Sequence, residues 1–158
     1  MAGFAQGAGQ QNGYAGTCTE TKKQVVCRGW LMTKRVFIVD DDREIREIIT
    51  FVLSQNGFEV AVANNGEQLQ SLLAEQLPDL IILDVMMPGE NGYQIFSTLR
   101  GTPQTQHIPV MIMTAHSEHI YQRISVDLGA DEHITKPFHP LDLAERVKSL
   151  LQATAKQN

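Results

Sequence analysis

Three uninterrupted apolar quartets constrain the fold of this chain more than any other feature: Val36-Phe37-Ile38-Val39, Leu80-Ile81-Ile82-Leu83 and Val110-Met111-Ile112-Met113. A run of strand length with no polar residue has to be buried on both faces, the situation of a parallel strand covered by helices above and below. Each run halts at a polar residue: Asp40, Asp84 and Thr114.

Between the quartets the apolar period changes. Ile45, Ile48, Ile49, Val52 and Leu53 recur at helical spacing from Arg43 to Gln55, and Asn56-Gly57 supplies a stop. Phe58 to Ala63 reads as a second strand, and Asn64 or Asn65 as the cap of a helix carrying Leu69, Leu72 and Leu73 and closing before Pro78. After a Pro-Gly loop, Tyr93 to Leu99 predicts a short helix. Glu118 to Leu128 predicts another, with Ile120, Ile124 and Leu128 at four-residue intervals. Glu132 to Thr135 is a short fifth strand, and Leu141 to Leu151 a closing amphipathic helix. The expected class is α/β: a doubly wound, five-stranded parallel sheet. Right-handed crossovers bring the carboxyl ends of parallel strands to one edge, where such sheets bind ligands. Asp40, Asp41, Asp84, Thr114 and Lys136, far apart in sequence, are therefore expected in one cleft.

The 158 residues suit one mildly acidic soluble domain, and the net charge of -5 excludes a surface devoted to nucleic acid or anionic lipid. No apolar run reaches membrane-spanning length and no signal peptide is evident, so a cytoplasmic location is expected. The charge is uneven. Residues 1–32 hold six of the 12 glycines, Cys18, Cys27 and Trp30, with Lys22, Lys23 and Arg28 against Glu20, a net of +2 that leaves -7 for the remainder. That Gly/Gln/Ala-rich head is expected to be disordered, its two cysteines incidental thiols, and Met32 raises the prospect that 1–31 is not native. Residues 33–153 form the expected domain, and 154–158 a short polar tail.

Acidic residues before a helix often serve only the helix dipole and the cap. Capping needs one of Asp40, Asp41 and Asp42, and Asp42 is the natural candidate. The remaining acids, with Asp84 converging on them, repel one another unless a cation sits among them, and a hard divalent ion with oxygen ligands suits the set. Lys136 adds a cation and Thr114 a hydroxyl, partners for an arriving phosphoryl group. No G-x-S-x-G, Walker loop or Cys/His pair competes.

The segments VFIVDDDREIRE, LIILDVMMPGENGYQ, MIMTA and ITKPF, in this order and spacing, resemble the signatures of the receiver domain, the phosphoacceptor module of two-component response regulators. The resemblance covers about residues 34 to 152. It implies a flavodoxin-like (βα)5 fold with strand order 2-1-3-4-5. Asp84 would be the phosphoacceptor, phosphorylated by a sensor histidine kinase or a histidine phosphotransfer protein. Asp40, Asp41, Asp84 and the backbone carbonyl of Met86 would hold Mg2+ or Mn2+. Thr114 and Lys136 would engage the phosphoryl oxygens, and the Lys136-Pro137 bond would be cis. The module would catalyse only its own phosphorylation and dephosphorylation and would not otherwise be an enzyme.

His133 departs from the family pattern, which places Tyr or Phe there as a switch working with Thr114; the imidazole puts that coupling in doubt. Met86 and His116 flank the expected route of attacking water. Apolar Met86 predicts a long-lived phosphate, against which His116 could act. Few residues follow Leu151, so the sequence predicts a stand-alone, chemotaxis-regulator-like receiver signalling by protein contact, with no direct nucleic-acid contact and no membrane insertion. The helix 118–128, strand 132–135 and helix 141–151 would form the docking face for a downstream protein and for a phosphorylation-dependent homodimer. Two other readings are weighed. One is a phosphorylation-independent receiver-like binding module; the other is an Mg-dependent haloacid-dehalogenase-type phosphatase, which Glu44 and the lack of a cap insertion oppose.

Overall fold

A computed structural model describes residues 33–115, 127 and 129–156. The expectations for the head 1–32, for the helix 118–128 apart from Asp127, and for His116 lie outside the described residues. The elements are β1 (Arg35–Val39), α1 (Arg43–Gln55), β2 (Glu59–Ala63), α2 (Gly66–Glu75) and β3 (Leu80–Asp84), then the two-residue strands β4 (Met86–Met87) and β5 (Glu90–Asn91). They are followed by α3 (Gly92–Gly101), β6 (Val110–Thr114), β7 (Glu132–Thr135) and a helix here called α4 (Pro140–Ala155).

The five long strands form one sheet in the order β2-β1-β3-β6-β7, every pairing parallel. Counted without the short β4–β5 ribbon, this is the expected order 2-1-3-4-5. The three apolar quartets are its three central strands, and all twelve of their residues are buried. Alternate side chains serve opposite faces. Phe37, Val39, Ile81 and Leu83 pack with Leu69 of α2 and with Phe96 and Leu99 of α3. Val36, Ile38, Ile82, Met111 and Met113 pack with Ile49 and Leu53 of α1 and with Leu143 and Val147 of α4. Each such side chain withdrawn from water contributes about 1.5–3 kcal/mol. That drives the chain to cover the sheet on both sides.

Local chemistry sets the helix starts. Asp42 caps α1, its side chain accepting from the N–H groups of Glu44 and Ile45, as the sequence suggested. Of the two candidates before α2 it is Asn65 that caps, accepting from Gln68 N–H. Pro140 stands in the first turn of α4, where its missing N–H costs nothing. Several boundaries differ from expectation. Strand β2 begins at Glu59 rather than Phe58, and α3 runs from Gly92 to Gly101. Helix α4 continues to Ala155, two residues into the segment assigned to a tail, with Leu150 and Leu151 packed on the core. Ile48 also differs: it is 48% exposed at the margin of the α1 stripe whose centre is Ile49 and Leu53. No helix among the described residues is long and apolar enough to cross a membrane.

Candidate functional site

Sheet register brings the acidic positions together. Val39 lies opposite Leu83, so the next step along both parallel strands sets Asp40 beside Asp84. Asp84 in turn lies opposite Met113, the residue before Thr114, and Thr114 pairs with Thr135, the residue before Lys136. Four side chains spread over nearly a hundred positions thus stand at one edge of the sheet. The Lys136-Pro137 bond at this edge is cis, as expected.

Asp40, Asp84 and Thr114 are sealed from solvent at 0%, 3% and 1% exposure, whereas Asp41 is exposed. A buried carboxylate needs donors for both oxygens. Asp40 accepts from Asp42 N–H at 2.8 Å on Oδ1 and from Lys136 Nζ at 2.6 Å on Oδ2. Asp84 repeats the arrangement, accepting from Met86 N–H at 2.8 Å on Oδ1 and from Lys136 Nζ at 2.8 Å on Oδ2. One ammonium thus bridges two buried acids, each aimed by the main-chain amide two residues ahead. Those two amides are functional groups that a search for catalytic side chains overlooks. The signal for them is local all the same, since Asp commonly bonds the backbone two residues on.

Electrostatics follow from this packing. Burial disfavours the Asp40 carboxylate strongly enough that its pKa is raised, although the Lys136 hydrogen bond and the Asp42 amide oppose the shift. Burial alone would depress Lys136, but its hydrogen bonds to Asp40 and Asp84 and their negative charge outweigh it, and its pKa is raised. Lys136 is therefore a fixed positive charge across the physiological range. Asp40, Asp41 and Asp84 each offer a carboxylate oxygen, and these lie within 4.8 Å of one another. Three carboxylates facing one ammonium leave negative charge to be met. An all-oxygen donor set of this kind suits Mg2+ or Mn2+, so the residues present fit the expected ion.

The connection after β3 completes the edge. It enters the β4–β5 ribbon, unforeseen in the sequence, with Met86 opposite Asn91 and Met87 opposite Glu90. Gly92 makes the turn back possible: a Cβ there would collide with the Asp84 carbonyl oxygen and the Val85 Cα. Met86 is 40% exposed while Met87 is buried. His133 is half-buried in β7, paired with Ile112, its carbonyl accepting from Arg146 at 3.4 Å.

Comparison with known proteins agrees with this geometry. Residues 36–148 match the response regulator receiver domain family. The phosphate regulon transcriptional regulatory protein PhoB of Escherichia coli is 40% identical over 121 residues, 77% of this chain and 53% of that protein. The chain thus spans about half the length of such curated relatives. A putative response regulator from Chloroflexus aurantiacus superposes with a TM-score of 0.71 at 34% identity, covering 76% of this chain and 98% of that one. The chemotaxis response regulator CheY4 of Vibrio cholerae superposes with a TM-score of 0.70 at 26% identity, covering 75% and 98%. A parallel sheet in this order, an acid cluster bridged by one lysine at its carboxyl edge, and these matches agree: the chain belongs to the response regulator receiver domain family.

Proposed function

We propose that the chain is a phosphoacceptor that takes a phosphoryl group on Asp84 from the phosphohistidine of a sensor histidine kinase or a histidine phosphotransfer protein. The observation that carries this reading is the Lys136 ammonium shared by Asp40 and Asp84, with exposed Asp41 alongside. An Asp84 carboxylate oxygen forms the new P–O bond as the P–N bond breaks and its electron pair returns to the imidazole. Lys136 then neutralises a phosphoryl oxygen, and the Thr114 hydroxyl donates to another. Asp40, Asp41, Asp84 and the Met86 carbonyl would hold Mg2+, whose chemistry is to offset the charge on the transferring oxygens. The protein's share is placement and charge compensation, the usual economy of phosphoryl transfer.

The apolar Met86 side chain has no hydrogen-bond donor to orient attacking water, which favours a persistent aspartyl phosphate. Output is by protein contact on the face that includes strand β7 and helix α4, the same face serving a phosphorylation-dependent homodimer. The likeness to a chemotaxis regulator, 98% of whose chain is covered, supports this reading. The longer curated relatives are named as transcriptional regulators.

Incubation with acetyl phosphate and Mg2+ tests the proposal by intact mass. One phosphoryl group per chain is expected, and none on Asp84→Asn. An unlabelled wild type would favour a binding module, and many turnovers of a phosphate ester would favour a phosphatase. In the labelled sample, amide shifts are expected to change over residues 132–155; silence there contradicts the assigned output face.

A further inference from the structure

We propose that Glu90 is a positioning residue for the cation-binding part of the site: it accepts from the first amide of α2 and so holds the ribbon that presents the Met86 carbonyl. The inference rests on the Mg2+ reading above and deepens it.

The β4–β5 ribbon has only two residue pairs, and a two-stranded ribbon even longer than this is marginal in water without support. Two of its side-chain hydrogen bonds are local. Met86 N–H donates to Asp84 two residues back, and Asn91 accepts from Tyr93 N–H two residues ahead. Glu90 differs: its Oε2 accepts from Gly66 N–H at 2.9 Å, across 24 residues. Among the described residues it is the one side-chain hydrogen bond from the ribbon to a distant element.

The two ends of this tie are fitted to each other. Gly66 opens α2, so its N–H has no partner within the helix, and the positive end of the helix favours a carboxylate. A Cβ on residue 66 would come within 2.5 Å of Glu90 Oε1 and 3.2 Å of Ile95 Cδ1. A side chain at 66 and the carboxylate in this place therefore exclude one another. Asn65 already caps the helix through Gln68 N–H, so α2 does not depend on Glu90 for its start. The hydrogen bond instead braces the outer part of a ribbon, which buried Met87 anchors on its inner side, against a packed helix. Mg2+ tolerates little departure from octahedral geometry, so a ribbon that drifts takes one oxygen ligand out of range.

The test compares the full chain with Glu90→Ala, Glu90→Gln and Gly66→Ala, reading Mg2+ affinity by calorimetry and Gly66 and Met87 amide exchange by NMR in EDTA. Glu90→Ala is expected to weaken Mg2+ binding about 10-fold and to speed exchange at both amides. Its metal-free Tm is expected to stay within about 4 °C of wild type. Glu90→Gln keeps an acceptor oxygen and recovers most of the affinity. Gly66→Ala reproduces Glu90→Ala, and combining the two adds nothing further. Wild-type Mg2+ affinity in Glu90→Ala, with a wild-type chain that takes phosphate normally, overturns the positioning role alone. A wild-type chain that binds no Mg2+ overturns both this role and the proposed function.

Discussion

The site has a buried half and an exposed half, and the protein holds them differently. Asp40, Asp84 and Thr114 sit at strand ends with almost no contact with water, whereas Asp41 and Met86 lie exposed on the connections that follow. A buried carboxylate must be satisfied by the fold, and Asp40 and Asp84 are each held by one main-chain amide and by Lys136. An exposed carboxylate is satisfied by water. Chemistry and stability are therefore entangled in the buried half and separable in the exposed one.

The sharpest way to break this distinction is Lys136→Ala, which strands two buried acids. Removing one partner of a buried ion pair commonly costs about 3–5 kcal/mol, so a loss of about 3 kcal/mol is expected in urea denaturation at neutral pH with EDTA. A loss below about 1 kcal/mol would mean that the buried acids do not need their cation. Next in size is Asp41→Asn. Mg2+ affinity should fall about 10-fold by calorimetry, while metal-free stability stays within about 0.5 kcal/mol. Destabilisation well beyond that would make the exposed half structural after all.

The smallest effect concerns Asp40→Asn and is a dependence on pH. Because the folded-state pKa of Asp40 is raised, the folded chain binds that proton more tightly than the unfolded chain. The stability contributed is complete at low pH and is lost as pH rises through the raised value. Asp40→Asn removes that loss but keeps only one oxygen, so its amide nitrogen is left facing either the Asp42 N–H or the Lys136 ammonium. That mismatch is the same at every pH, so the stability of the metal-free variant relative to wild type is expected to improve by about 1 kcal/mol between about pH 4 and neutral pH. A difference between the two proteins that stays the same from about pH 4 to neutral pH would mean that burial of this charge costs nothing.

Much of the arrangement could be read from the chain. The quartets announced buried parallel strands because they lack any polar position, and the residues that end them are those the structure gathers at one edge. The half-exposed strand β2 and the fifth strand β7 were legible from their flanking stops rather than their apolar content. The β4–β5 ribbon was not, since two-residue strands in Met-Met-Pro-Gly-Glu-Asn carry no period to detect. Ile48 and Ile49 are equally apolar, yet one is half exposed and the other buried, because they lie on different sides of α1 and the packing decides which side meets the core.

By itself the sequence determined the strands, their stopping points and the kinds of group placed there, because periodicity, capping and burial on two faces act over a few residues and leave local marks. The tertiary structure decided which carboxylate oxygen meets which donor: Lys136 reaches Asp40 across 96 positions and Asp84 across 52. It also decided that Glu90 finds the opening amide of α2. Such contacts depend on how packed elements are set against each other, and nothing in the neighbouring sequence records that placement.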